Sequence, residues 1–183
     1  MAVLGYVNAG LVALDIHSIP LTEEIVEAII TKHAATLRHL KADFMTEKEI
    51  YLRLLCACTE LHTLDMTYCN EEEVSSVIAN LKLPKLQTLM CDAYAYDRDQ
   101  MESILEFTKH SPELTTLCLY DSLSPCMEKY IATLGATRPA LHTIFLHDHR
   151  KNVRFVRYGK KEFRKEDSSE EPPQFDVLSF PVL

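Results

Sequence analysis

Two groupings of side chains could do chemistry. His147-Asp148-His149 sets two imidazoles around a carboxylate, the residue types used for metal binding and proton transfer. In a strand His147 and His149 share a face and Asp148 faces the other way, so two ligands meet and no third is forced near them. Cys118 and His147 are the second grouping, a thiol and a base of the kind used in covalent catalysis. Nothing in the sequence supplies an oxyanion site or an orienting group beside them, so no catalytic residue, metal or cofactor is expected. The six cysteines, Cys56, Cys58, Cys69, Cys91, Cys118 and Cys126, form no C-x-x-C pair and lie in apolar stretches. They read as buried free thiols of a reducing compartment rather than as zinc ligands or a disulfide framework. Four glycines cannot build a phosphate-binding loop. Glu71-Glu72-Glu73 reads as charge at a helix N-terminus.

The elements that would position these groups are periodic. The segment Leu-x-x-Leu-x-apolar occurs at Leu11–Ile16, Leu37–Ala42, Leu61–Met66, Leu86–Cys91 and Leu114–Leu119, and with Ile in the fourth place at Leu141–Leu146. Successive first leucines are 26, 24, 25, 28 and 27 residues apart. Between the copies stand helix-start residues, Thr22, Thr46, Asn70, Asp97 and Ser124, whose side-chain oxygens can accept from the free N–H groups of a first turn. Behind them the apolar residues fall at helical spacing: Val74, Val77, Ile78 and Leu81; Met101, Ile104 and Leu105; Met127, Tyr130, Ile131 and Leu134. Pro84, Pro112 and Pro139 each precede a strand leucine by two residues and favour an extended lead-in. Each unit is therefore a short strand, a loop and a helix, and units of this size bury their apolar faces only by stacking.

These residues resemble the leucine-rich repeat family, over residues 1–149. The period and the full helices are similar to its ribonuclease-inhibitor-like and cysteine-containing subclasses, the second typical of F-box/LRR substrate receptors. Leu61–Cys69 is the closest single match, with Cys69 at the usual Asn/Cys position, and Cys58-Thr59-Glu60-Leu61 resembles the lead-in. Met45, Tyr94 and Ser122 break the ladder at that position, and the few residues ahead of the first repeat do not read as an F-box. The resemblance implies an α/β fold, a right-handed βα solenoid or horseshoe of about six repeats, with a concave parallel sheet and convex helices.

In that geometry the first, fourth and sixth positions face the core, and the third, fifth and seventh face the concave side. The fifth-position row is Asp15, Lys41, Asp65, Met90, Cys118 and Phe145. The seventh-position row is His17, Asp43, Thr67, Asp92, Tyr120 and His147. Acidic groups dominate the first four repeats, and aromatic, sulfur and histidine groups gather at the last two. Such a face would anchor a protein client on its aromatic end and steer a basic one with its carboxylates.

Residues 150–183 leave the pattern. Residues 150–165 hold eight basic side chains against one Glu, and Glu166–Glu171 is acidic. Val153–Tyr158 alternates and could close the last sheet edge, residues 164–174 read as flexible, and Phe175–Leu183 could fold back over the core. The segment is expected to be a C-terminal cap with a partly flexible tail.

A formal net charge of −8 and the lack of a long apolar run make nucleic acid and membrane poor partners. The N-terminal residues are apolar without a basic flank and read as structural, so cytoplasm or nucleus is the expected location. Three functional readings remain open, none of them enzymatic. One is the client-recognition part of an F-box/LRR-like ubiquitin-ligase receptor or related adaptor, meeting the ligase scaffold through a segment outside this chain. The others are an enzyme-wrapping inhibitor of ribonuclease-inhibitor type and a piece of a longer solenoid.

Overall fold

Each Leu-x-x-Leu segment forms a short strand because alternate residues are apolar and a proline or turn precedes it. The computed structural model describes residues 10–17, 19–42, 48–67, 77–79, 81–92, 98–120, 127–147, 152–158 and 162–167. In chain order the elements are β1 (Ala13–Asp15), α1 (Glu23–His33), β2 (His39–Lys41), α2 (Lys48–Ala57), β3 (Thr63–Met66), β4 (Thr88–Asp92), α3 (Arg98–Lys109), β5 (Thr116–Tyr120), α4 (Met127–Thr137), β6 (Thr143–His147), β7 (Asn152–Tyr158) and β8 (Glu162–Asp167). The fold is α/β: one open eight-stranded sheet in sequential order, parallel from β1 to β6 and antiparallel from β6 to β8.

One backbone link repeats between units. The carbonyl of the second position in each unit accepts two amide N–H groups from the next. Val12 O receives Arg38 and His39, Arg38 O receives His62 and Thr63, and His62 O receives Gln87 and Thr88. Gln87 O receives Thr115 and Thr116, Thr115 O receives His142 and Thr143, and all ten bonds span 2.7–3.0 Å. This fixes the register, and the fourth-position residues Leu14, Leu40, Leu64, Leu89, Leu117 and Ile144 stand side by side across six strands.

That row is buried, as are the first-position leucines Leu37, Leu61, Leu86, Leu114 and Leu141 and the sixth-position residues from Ile16 to Leu146. Against them pack Val26 and Ile29 of α1, Tyr51, Leu54 and Leu55 of α2, Met101, Ile104 and Phe107 of α3, and Met127, Ile131 and Leu134 of α4. Thr22 caps α1, its hydroxyl accepting from Ile25 N–H at 3.4 Å, and Glu23 and Glu24 follow it in the first turn. The other expected caps, Thr46, Asn70, Asp97 and Ser124, lie outside the described residues. On the helix side Arg53 of α2 pairs with Glu27 of α1 at 3.1 Å.

Two expectations change. Residues 164–167 are not flexible: they form most of β8, whose Phe163 packs on the core and whose Glu166 pairs with Arg154 at 2.8 Å. The run of charges concealed an alternation with one apolar residue on the core side. Cys56 is exposed, whereas Cys58, Cys91 and Cys118 are buried, all four as free thiols, while Cys69 and Cys126 lie outside the described residues. The expected backfolding segment 175–183 also lies outside them. Among the described residues no helix is long and apolar enough to cross a membrane.

The hairpin β7–β8 is fastened to the last unit by Arg157. Its backbone N–H extends the repeating link to His142 O at 2.8 Å. Its guanidinium donates to the carbonyls of Gly135, Arg138 and Leu141, and stacks 4.7 Å from the Phe163 ring centre.

Leu89 sits in the middle of the fourth-position row with no solvent exposure. Leu89→Ala is expected to lower the unfolding free energy by about 2–5 kcal/mol. Arg53→Ala, which removes only the surface pairs with Glu27 and Glu23, is expected to cost less than about 1 kcal/mol. Urea unfolding followed by circular dichroism compares the two.

Candidate interaction site

The face of the sheet opposite the helices is built by strand alternation. Paired registers carry the fifth-position row from Asp15 through Lys41, Asp65, Met90 and Cys118 to Phe145. The antiparallel hairpin extends it, Phe145 facing Arg154 and Arg154 facing Glu166, so the row crosses all eight strands. It is charged at both ends and apolar in the middle. A threonine row, Thr63, Thr88, Thr116 and Thr143, runs along one side of it. Asp92, Tyr120, His147 and Asn152 run along the other.

The middle of this face is closed to solvent. Asp65, Met90 and Cys118 are only 3%, 2% and 1% exposed, and Thr67 is buried too. Met90 and Cys118 do not belong to the core cluster between sheet and helices. These four were expected to meet a client directly, and they do not offer a free surface. Strand alternation puts them on the expected face, but that face is not open to water at these positions. Asp15, Lys41, Phe145, Asp92, Tyr120 and His147 are half-buried, and His17 is exposed. Asp43 lies outside the described residues, as do Asp148 and His149.

The charges at the first end are internally satisfied. Asp65 accepts from Thr67 N–H at 2.9 Å and from its hydroxyl at 2.6 Å, and Lys41 Nζ lies 3.8 Å from its second oxygen. Burial still raises the Asp65 pKa, opposed by Thr67 and Lys41 and assisted by the charge of Asp15. Asp15 binds the ring and the N–H of His17, at 2.5 and 3.1 Å. The steering carboxylates at this end are thus partly neutralised before any partner arrives.

At the other end Tyr120 meets His147 edge-on, with ring centres 5.3 Å apart. His147 Nδ1 is hydrogen-bonded to Asn152 Oδ1. Cys118 stands in register with Phe145, while His147 stands in register with Tyr120. Burial, and secondarily the charge of Asp65, pushes the Cys118 thiol up to about 12. Such a thiol is protonated near neutral pH and is a weak nucleophile. Among the described residues no three His, Cys, Asp or Glu side chains could together hold a metal ion.

Sequence reasoning placed the third positions on this face without singling out their threonines, and it missed Arg154 and Glu166. The signal for the first was present: Thr precedes the fourth-position residue in four successive units. The signal for Arg154 was the alternation that places it opposite Val153 and Phe155. No protein-family model matches the chain, and no curated protein matches it.

Two outcomes are expected. A carboxyl with a raised folded-state pKa favours the fold below its unfolded value and loses that contribution as pH rises through the folded one. Asp65→Asn retains an acceptor for Thr67, so it is expected to exceed the wild type in stability at about pH 7.5, with the gap closing towards about pH 4. Urea titrations across that range measure the gap. In native protein iodoacetamide is expected to modify Cys56 far ahead of Cys58 and Cys118, whose thiols are both pushed up to about 12. Peptide mass spectrometry over time ranks the three sites.

Proposed function

We propose that the chain is a protein-recognition module of leucine-rich-repeat type, a horseshoe with the sheet on its concave side. The observation that carries the reading is the row running in register across all eight strands on the face the helices leave uncovered. A wide sheet face with one aromatic end and closely spaced charges suits an extended polypeptide surface better than a small substrate. Its anchoring part is the half-buried end formed by Tyr120, Phe145 and His147, bordered by Asp92, Asn152 and Arg154. Rigid aromatic groups beside polar ones are the usual source of binding energy at such interfaces.

Within this reading the module presents a client to a ubiquitin ligase, as an F-box/LRR-like receptor or a related adaptor does. The ligase scaffold is then engaged through a segment outside this chain. The support is the motif Leu61–Cys69 and the preceding Cys58. A basic client remains favoured by the overall charge of −8, although Asp15 and Asp65 are already engaged by His17, Thr67 and Lys41.

Affinity capture from cell lysate with mass spectrometry compares the wild type with an Asp92→Ala, Tyr120→Ala, His147→Ala variant of unchanged circular dichroism. A small set of proteins, with ligase scaffold subunits among them, is expected with the wild type, and the clients are expected to fall at least about tenfold with the variant. Identical capture by both baits would place recognition elsewhere and reject the face. Clients lost without any ligase subunit would keep the recognition reading and reject the ligase one.

A further inference from the structure

The end of α3 and the turns that enter β5 and β6 line a pocket of about 160 Å³. That is roughly the space that holds one benzene ring. Its walls are mostly apolar, from Pro112, Leu114, Pro139, Ala140 and Leu141. Its polar lining is of one kind, hydroxyls and cations: Thr108, Ser111, Lys109 and Arg138.

One of these groups is buried without a partner, and a second, half-buried, carries a positive charge with no ion pair among the described residues. The Ser111 hydroxyl is 2% exposed and makes no hydrogen bond, a costly state for a buried polar atom. Arg138 is held by Nε donating to the Thr108 hydroxyl at 3.0 Å, while its own carbonyl receives Arg157. Its guanidinium forms no ion pair among the described residues. The nearby carboxylate, Glu106, is committed to Lys109 and, at 3.8 Å, to His110. Glu106 also feels the charge of Arg138, so one carboxylate faces the two cations Lys109 and Arg138, and the lining keeps a net positive charge.

We propose that this pocket binds a carboxylate carried on a small aromatic or branched aliphatic group. The hydrocarbon part fills the space between Leu114, Leu141 and the two prolines. The carboxylate pairs with Arg138 and accepts from the Ser111 hydroxyl, which gains its missing partner. A phosphate fits less well, because it has no apolar body to cover these walls. The same chemistry occurs in free aryl or alkyl carboxylates and in the C-terminal residue of a polypeptide.

Titration calorimetry on the full chain tests this with sodium benzoate against benzamide, its neutral counterpart. Benzoate is expected to bind at least about tenfold more tightly, and Arg138→Gln is expected to abolish that preference. Ser111→Ala, which removes the unpaired hydroxyl, is expected to weaken benzoate several-fold while raising the thermal midpoint of the free protein, and it keeps the test valid if Arg138→Gln unfolds. Equal binding of the two probes, no benzoate binding up to about 10 mM, or a preference that survives Arg138→Gln would overturn the proposal. A short peptide ending in Phe with a free carboxylate, compared with its amide, separates the sources. Carboxylate-dependent peptide binding assigns the pocket to chain termini, and benzoate binding without it assigns the pocket to free small acids.

Discussion

The sheet depends on one carbonyl per unit. Each second-position C=O takes two N–H groups from the following unit, from Val12 through to Thr115, and His142 O continues the chain of links to Arg157. Slipping one unit by a single residue would break both bonds and turn its leucines from the core to the other face. The backbone geometry and the hydrophobic pattern therefore specify the same register, and neither could be altered alone. The contacts between elements run mainly to sequence neighbours, so the stability of any unit is shared with the two beside it.

Closing the stack requires a different solution, because a seventh parallel strand would need another helix and another long connection. The chain reverses into β7 and β8, which extend the sheet without adding a helix layer. Arg157 then answers the carbonyls left at the end of α4 and in the turn that follows, where no further unit could. A guanidinium so near a helix C-terminus also opposes the negative end of its dipole. The same turn supplies Arg138 and Pro139 to the small pocket, so one side chain of the hairpin holds a wall of it in place.

Much of the architecture was legible because a 24–28-residue period and a strand period of two are both visible without knowing any contact. Leu37, Leu64 and Leu119 are core residues for that reason, and Thr22 caps a helix as its side chain suggests. Exposure was less legible. Periodicity assigns Met90 and Cys118 to a face but is silent on whether water reaches that face. Asp65 reads as a steering charge until its neighbours Thr67 and Lys41 are seen to occupy it. β8 was hidden because Arg164, Lys165, Glu166 and Asp167 look like a solvated run, and only Phe163 betrays the strand. Arg157 could not be assigned at all, since its acceptors are backbone carbonyls and leave no mark on the side-chain sequence.

The connections are unequal along the sheet. Strands β1 to β6 are joined through crossovers of some two dozen residues, whereas β6, β7 and β8 are joined by four and three residues. Short loops lose less entropy on closing, and hairpins form in microseconds. The β6–β8 meander therefore closes at the lowest chain-entropy cost in the sheet. On the ribosome these strands emerge after all the others. Until they have been made, the last parallel strand keeps an open edge and the carbonyls that Arg157 answers have no donor from the hairpin.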